Sequence, residues 1–361
     1  MLNLKKPSMH LFNFIKCSLI VFMYVSLHAH EDLENMAQDF ILETKKIEIP
    51  EHPYAFNASI VRWQGSLLMS FRIIISEQDN RLDFIGSGET HSRIGLIWLD
   101  EDFRPISQPQ LLEMNQTHTP SRAEDARLII VDNQLYIIYS NNEDEVITEG
   151  GFRVYVAQLE QNGSTFTLKN QECLDSFEGQ SPHRREKNWV PFNYNGHLTL
   201  AYSLSPHRIF HPLLGRGKCQ TIALSDGQIH WSWGELRGGT PALKIDNQYL
   251  AFFHTVTHIA TQHSHGKVIP HYFMGAYTFS LEPPFQITHI SQEPIIGKGF
   301  YKGAIYKPYW HPVRVIFPCG FIFDDSYIWI TYGRQDHEIW ISKLDRKKLF
   351  QSLTPVYSEI N

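Results

Sequence analysis

A chain of 361 residues holds one large domain or two ordinary ones, and its 42% hydrophobic content is enough for a sizeable core. The aromatic share of 13% suits a β-rich protein, because rings pack well on pleated surfaces. A formal charge of −6 argues against nucleic acid as a partner, since neutralising phosphates takes an excess of Lys and Arg.

At the start of the chain, Lys5, Lys6 and Lys16 precede an apolar run from Cys17 to Leu27, and Leu27-His28-Ala29 offers a cleavage site. This pattern predicts a signal peptide over 1–29 and an exported protein, periplasmic or secreted. A membrane contact follows only if that segment stays uncleaved, and the run is shorter than the ~20 residues of a spanning helix. Residues 30–55 mix Glu and Lys and read as a leader before the first folded unit. Without Cys17, Cys173, Cys219 and Cys319 remain, so at most one disulfide can form.

From there one pattern is written five times: an apolar strand, a polar turn, and a second strand rich in aromatic and branched residues. The copies are 59–72, 126–140 around Asp132-Asn133, 190–203 around Asn195-Gly196, 241–254 around Asp246-Asn247, and 315–332 around Asp324-Asp325. Turn residues between alternating runs mark hairpins. The spacing of the copies leaves room for two more strands in each, and 152–159 and 339–344 read as such outer strands. Four antiparallel strands repeated around an axis make a propeller blade. The prediction is an all-β, five-bladed β-propeller over 56–345, with a C-terminal tail over 346–361 and no second domain.

In a propeller the innermost strands meet at the axis, so polar residues at their ends converge although distant in sequence. Ser121 to Leu128 places two carboxylates and two guanidiniums just before an apolar strand, where an acid could donate a proton to a leaving oxygen. Comparable polar groups precede the third copy, Arg184 to Trp189, and the fourth, Glu235 to Thr240. Glu186 and Glu235 are the candidates for a catalytic base. Water attack with inversion needs such a base about 6.5–9.5 Å from the acid, whereas phosphate as nucleophile needs none. Trp189, Trp231 and Trp233 stand near these motifs, where a ring face could cover a pyranose. His254, His258, His263, His265 and His271 are dense, but they leave a strand for a loop without the regular ligand spacing of a zinc site. No metal and no cofactor is expected.

The series Glu124-Asp125-Ala126-Arg127, Lys187-Asn188-Trp189, Gly239-Thr240-Pro241-Ala242 with Phe253-His254, and Phe317-Pro318-Cys319-Gly320 followed by Tyr332-Gly333-Arg334-Gln335-Asp336 resembles glycoside hydrolase family 130. That family contains β-mannoside phosphorylases and β-1,2-mannosidases on five-bladed propellers. The motifs run in the family's order over residues 59 to 345 or so. The resemblance implies an oligosaccharide or glycan substrate with a β-mannosidic linkage, and inorganic phosphate or water as the attacking group. It implies Asp125 as general acid, acting through a sugar hydroxyl, and Arg72 as a holder of the sugar. By the same likeness Arg127, Lys187, His254 and Asp336 line the pocket. Ala126 in place of proline, Thr255 after His254, and Arg334-Gln335 before Asp336 depart from the family pattern and alter the loops around the pocket. Export favours water, because a sugar phosphate made outside the cell is lost, while Arg184, Arg185 and Lys187 keep phosphate open. Two rivals stand beside cleavage: a glycosyl transfer enzyme making mannosides from a sugar phosphate, and a non-catalytic carbohydrate-binding propeller.

Overall fold

A computed structural model describes residues 32–75, 91–114, 122–142, 151–225, 228–303 and 312–356. The expected signal peptide and the part of the tail beyond 356 lie outside them. Five antiparallel sheets form a ring, the five-bladed β-propeller that the repeats predicted. Blade I consists of Phe56–Trp63, Ser66–Ile75, His91–Leu99 and Gln110–Leu111. Blade II is Glu124–Val131, Gln134–Asn142, Phe152–Asn162 and Thr165–Cys173, and blade III is Val190–Tyr194, His197–Leu204, His207–Leu213 and Lys218–Leu224.

In blade IV the inner strand is interrupted: Arg237–Gly238 and Leu243–Ile245 both pair with the long Gln248–Ala260, which is followed by Val268–Ser280 and Ile287–Ser291. Pro241 lies in the gap, where its missing N–H leaves no ladder position unfilled. Blade V is Ile316–Phe323, Tyr327–Arg334 and Glu338–Asp345.

Both chain ends join the sheets. Within the segment expected as a leader, Ile41–Ile47 pairs with Glu338–Asp345 and supplies the outer strand of blade V. Within the segment expected as a tail, the helix Arg346–Ser352 leads to Leu353–Pro355, which extends the outer edge of blade IV by pairing with Ile287–Ser291. Asp345 starts that helix, its side chain accepting from the Lys348 N–H.

The alternation in the repeats buries both faces of the inner strands, and the apolar side chains collect between neighbouring blades. Leu128, Ile137 and Ala157 of blade II pack with Leu68 and Leu96 of blade I, for example, and Ile129 and Ile138 with Leu200 and Phe210 of blade III. Polar side chains stitch inner strands together across the same seams. Ser59 Oγ accepts the Leu128 N–H at 3.1 Å, and Thr331 Oγ1 donates to the Ala58 carbonyl at 2.6 Å. Two blades share a close approach: Phe71 pairs with Gly95 and Phe253 with Gly275, and a Cβ on either glycine would lie 2.2 or 2.3 Å from the ring opposite. The hairpin turns at Gln64-Gly65, Asp132-Asn133 and Asn195-Gly196 have positive φ at both central residues, as the tight twist-matched turn requires. None of Cys173, Cys219 and Cys319 is in a disulfide.

Candidate functional site

Blades I and II open in the same way. The register of each inner strand slips at its first residues, between Phe56 and Ser59 in blade I and between Glu124 and Arg127 in blade II. A bulge of this kind re-aims one side chain. The residue concerned has left-handed backbone in both, Asn57 at φ 49° and Asp125 at φ 55°, a conformation that Asn and Asp tolerate better than most. These equivalent positions bring their side chains together: Asn57 Nδ2 donates to Asp125 Oδ1 at 2.8 Å.

Around that pair lies a funnel of about 930 Å³. Asp125, Arg72, Lys187, His254, Asp336 and Glu235 of the expected residues line it, drawn from all five blades or the connections between them. Arg72, on the second strand of blade I, places Nη1 at 2.7 Å from Glu124 Oε2 and 3.2 Å from Asp125 Oδ1, and its Nε donates to Ser92 Oγ at 2.7 Å. Lys187 Nζ is ion-paired with Glu124 Oε1 and stands 4.0 Å from the centroid of the Phe152 ring. Three carboxylates and two facing cations thus share the inner funnel.

Their titration follows from that crowding. Burial alone would raise Asp125, but Arg72, Lys187 and Arg127 outweigh it and hold its carboxyl below the ordinary range in the empty funnel. Burial also lowers an arginine, yet Glu124, Asp125 and Asp336 raise Arg72 instead. Lys187 is lowered, chiefly by burial. Asp336 goes the other way: burial, helped by the charges of Asp125 and Glu124, pushes it up to about 7 against the pull of Arg72 and Lys187. A carboxyl raised on folding costs stability as pH climbs from the unfolded value near 4 through the folded one. Asp336→Asn is therefore expected to melt at a higher temperature than the wild type at about pH 8 and at the same temperature at about pH 4. Equal melting temperatures at both would refute the raised carboxyl.

His254 is buried and neutral. Burial first, then Arg237 and Arg127, push it down to about 3. Its Nδ1 lies 2.9 Å from the Gly238 carbonyl, which can only accept, so Nδ1 carries the proton and Nε2 is left as an acceptor. A hydroxyl is the partner that such a nitrogen takes.

Five of the expected residues lie elsewhere. Arg127 is 1% exposed and runs beneath the funnel floor, with Nε donating to the Gly239 carbonyl at 2.5 Å, Nη1 to the Asp125 carbonyl at 2.6 Å and Nη2 to Asn188 Oδ1 at 3.0 Å. It braces the acid's backbone and presents no edge to a ligand. Trp189 is 1% exposed and packs edge-on against Phe177, Tyr202 and Phe210, so it is core and no sugar platform. Trp231 and Trp233 are buried too, their ring N–H groups donating to the Ser291 carbonyl and Glu293 Oε2. Glu186 is 2% exposed, within reach of the Trp189 N–H at 3.3 Å and the Tyr202 hydroxyl at 3.4 Å, and is absent from the funnel lining. It corrects the expectation of a base there. Glu235 does reach the lining, but at the mouth, where its side chain is 81% exposed and 3.3 Å from Arg237. Between Glu186 and Trp189 the chain is not a strand, and with Asn188 in left-handed backbone at φ 63° both Lys187 and Asn188 take the funnel side while their two neighbours turn away.

The lining also contains Asn57, Glu124, Tyr272 and Arg237, which sequence reasoning had not assigned. Tyr272 lies parallel to His254, at 6.1 Å between centroids. Among the described residues no group of three His, Cys, Asp or Glu is placed to hold a metal ion, and no helix is long and apolar enough to cross a membrane.

A five-bladed propeller with an axial funnel of carboxylates, arginines and a lysine defines a class of carbohydrate-active proteins. The family model described as Glyco_hydro_130, beta-1,4-mannooligosaccharide phosphorylase, matches residues 28–354, and the chain belongs to that family, glycoside hydrolase family 130. Among solved structures the fold is similar to a β-1,2-mannobiose phosphorylase from Listeria innocua in complex with β-1,2-mannobiose, with TM-score 0.57 and 15% identity, covering 88% of this chain and 95% of that one. It is likewise similar to MPT-4, a mannose phosphorylase from Leishmania mexicana in complex with a phosphate ion, with TM-score 0.55 and 11% identity over 90% and 94% of the two chains. A curated relative, beta-mannosyltransferase 3 of Candida albicans, is 36% identical over 77 residues, which is 21% of this chain and 14% of that protein.

Proposed function

We propose that the funnel cleaves a β-mannosidic linkage with inversion, using Asp125 as general acid and phosphate as the attacking group. The observation that carries this choice is the distribution of charge. Among the described residues, six Arg and Lys side chains line the funnel against four carboxylates, a formal +2 in a chain of −6. That excess matches one phosphate dianion, and guanidinium groups suit its oxygens. Of the two bases expected for the alternative, water, Glu186 is outside the funnel, and Glu235 is solvated at the mouth beside Arg237. The charge distribution outweighs the argument from export.

In this reading the mannose to be transferred lies against Arg72, Asn57 and Asp336. Binding expels water and brings a dianion, and both changes raise the Asp125 carboxyl, so it acquires its proton in the loaded site. That proton goes by way of a sugar hydroxyl to the glycosidic oxygen as the bond to the anomeric carbon breaks. A phosphate oxygen forms its bond to the same carbon from the opposite face. The products are α-mannose 1-phosphate and the shortened glycan. His254 Nε2 accepts from a hydroxyl of the sugar or of hydrogen phosphate. Run in reverse, the same steps make a β-mannoside from mannose 1-phosphate, which is the reading that the mannosyltransferase relative favours. Export through residues 1–29 belongs to this proposal, and a mature chain starting at residue 30 is its check by mass spectrometry.

The deciding experiment incubates the mature protein with β-1,2- and β-1,4-linked mannobiose, with and without phosphate, and follows products by phosphorus NMR. α-Mannose 1-phosphate that forms only when phosphate is present is the expected result. Free mannose released equally without phosphate would make the protein a hydrolase. Sugar binding with no turnover in either direction would make it a binding propeller.

A further inference from the structure

The reaction above uses Asp125 and gives no part to its chain neighbour. Glu124 is 6% exposed and stands at the head of the inner strand of blade II. Its two oxygens point to opposite sides of the funnel, Oε2 to Arg72 Nη1 at 2.7 Å and Oε1 to Lys187 Nζ. Arg72 belongs to blade I, and Lys187 to the connection that enters blade III. A single carboxylate therefore joins the arginine of blade I to the lysine that precedes blade III.

The same Arg72 nitrogen also reaches Asp125, at the longer distance of 3.2 Å. The two carboxylates share one terminal amino group of the guanidinium, and Glu124 has the closer contact. Lys187, over the ring of Phe152, has lost much of its water, a position that needs a counter-charge. We propose that Glu124 is a positioning residue, which fixes Arg72 and Lys187 across the funnel from each other and, by engaging Arg72, leaves Asp125 free to take up the proton it delivers.

The groups around Asp125 make the direction of the effect definite. It faces Asn57 and Arg72 from blade I, Arg127 from below, Lys187 from the next connection, Tyr272 from blade IV and Asp336 from blade V. Loss of the Glu124 charge removes one negative neighbour and turns Arg72 wholly to Asp125. Both changes favour the ionised acid. Neither requires any movement of the fold.

The pH–rate part of the test rests on the proposed role of Asp125 in phosphorolysis, and a second measurement does not. Profiles of kcat against pH, at saturating mannobiose and phosphate that the wild type turns over, are recorded for the wild type, Glu124→Gln and Glu124→Asp, because kcat reports the loaded site. In Glu124→Gln the high-pH limb is expected to move down by about one unit, so that on that limb the variant loses about tenfold more activity than it does at low pH. Glu124→Asp, which keeps the charge but withdraws it by one methylene, shifts the limb the same way by less. Independently, carbon NMR of protein labelled at the aspartate carboxyl, with Asp125 assigned through Asp125→Asn, should show Asp125 titrating lower in Glu124→Gln without any substrate. A fall by one factor at every pH together with an unmoved Asp125 carboxyl overturns the proposal. If no mannoside is turned over, the reading of the reaction fails, and the carboxyl titration still decides the part of Glu124. If Glu124→Gln does not fold, Glu124→Asp decides it, and an unmoved carboxyl there overturns it.

Discussion

Replacing Asp125 with Asn should slow turnover by about 10²–10⁴-fold, the range that a positioned general acid supplies. Asn suits the test better than Ala, because the backbone at 125 is left-handed at φ 55° and Asn adopts that conformation with little strain. The amide keeps the size of the carboxyl beside Asn57 and Arg72 and removes only the ability to hold and give up a proton. Neither neighbouring acid is placed to substitute. Glu124 is engaged by Arg72 and Lys187, and Asp336 comes from a different blade. Affinity for the sugar, measured by calorimetry, should stay near that of the wild type. A variant that cleaves within tenfold of the wild-type rate would remove Asp125 from the chemistry.

The second large effect is on stability. Arg127→Met should cost roughly 3–5 kcal/mol, because it strands two buried carbonyls, each losing a donor worth about 1–3 kcal/mol, and frees the part-buried Asn188 side chain. Those acceptors belong to three different segments: the carbonyl of Asp125 in blade II, the side chain of Asn188 before blade III and the carbonyl of Gly239 in blade IV. One guanidinium thus ties blade II to blade IV and to the segment before blade III, directly below Asp125. Urea unfolding measures the loss, and the part that remains folded should also turn over more slowly, because the acid's backbone is no longer braced. A loss under about 1 kcal/mol would show that water or a shifted main chain replaces the guanidinium without penalty.

Much of the ring was legible from the order of residues. Each of the five copies falls on the first two strands of a blade, and the turns at Asp132-Asn133 and Asn195-Gly196 are tight hairpin turns because those residue types accept positive φ. The blade that the chain start completes was not legible. Ile41–Ile47 carries Glu43, Thr44, Lys45 and Lys46 with partly buried or exposed faces, the pattern of an outermost strand, which has little apolar signal to give.

Within the site, Asp125, Arg72, Lys187, His254 and Asp336 were reached through the family likeness. Asn57 and Glu124 were not assigned, because the bulges that turn residues 57 and 125 into the funnel interrupt the period-two pattern at that point. Once blades I and II are aligned by their bulges, Asn57 falls opposite Asp125, so the repeat itself held the signal. The placement of Trp189 and Glu186 away from the funnel depended on which way the chain enters blade III. An aromatic residue beside a polar motif looks the same in sequence whether it covers a sugar or fills a seam between sheets.

The origin of the outer strand of blade V bears on how the molecule is assembled. Residues 41–47 are made long before 338–345, so the contact that shuts the ring joins segments far apart along the chain. Contacts so distant along the chain form slowly, because the intervening loop must be gathered before they give anything back. A ribosome releasing this protein N-terminus first delivers an early strand that must wait, unpaired and open to foreign edges, for its partner to emerge. The latch of the circle is thus also its most vulnerable hour, and a holding chaperone at the exit has an obvious client segment.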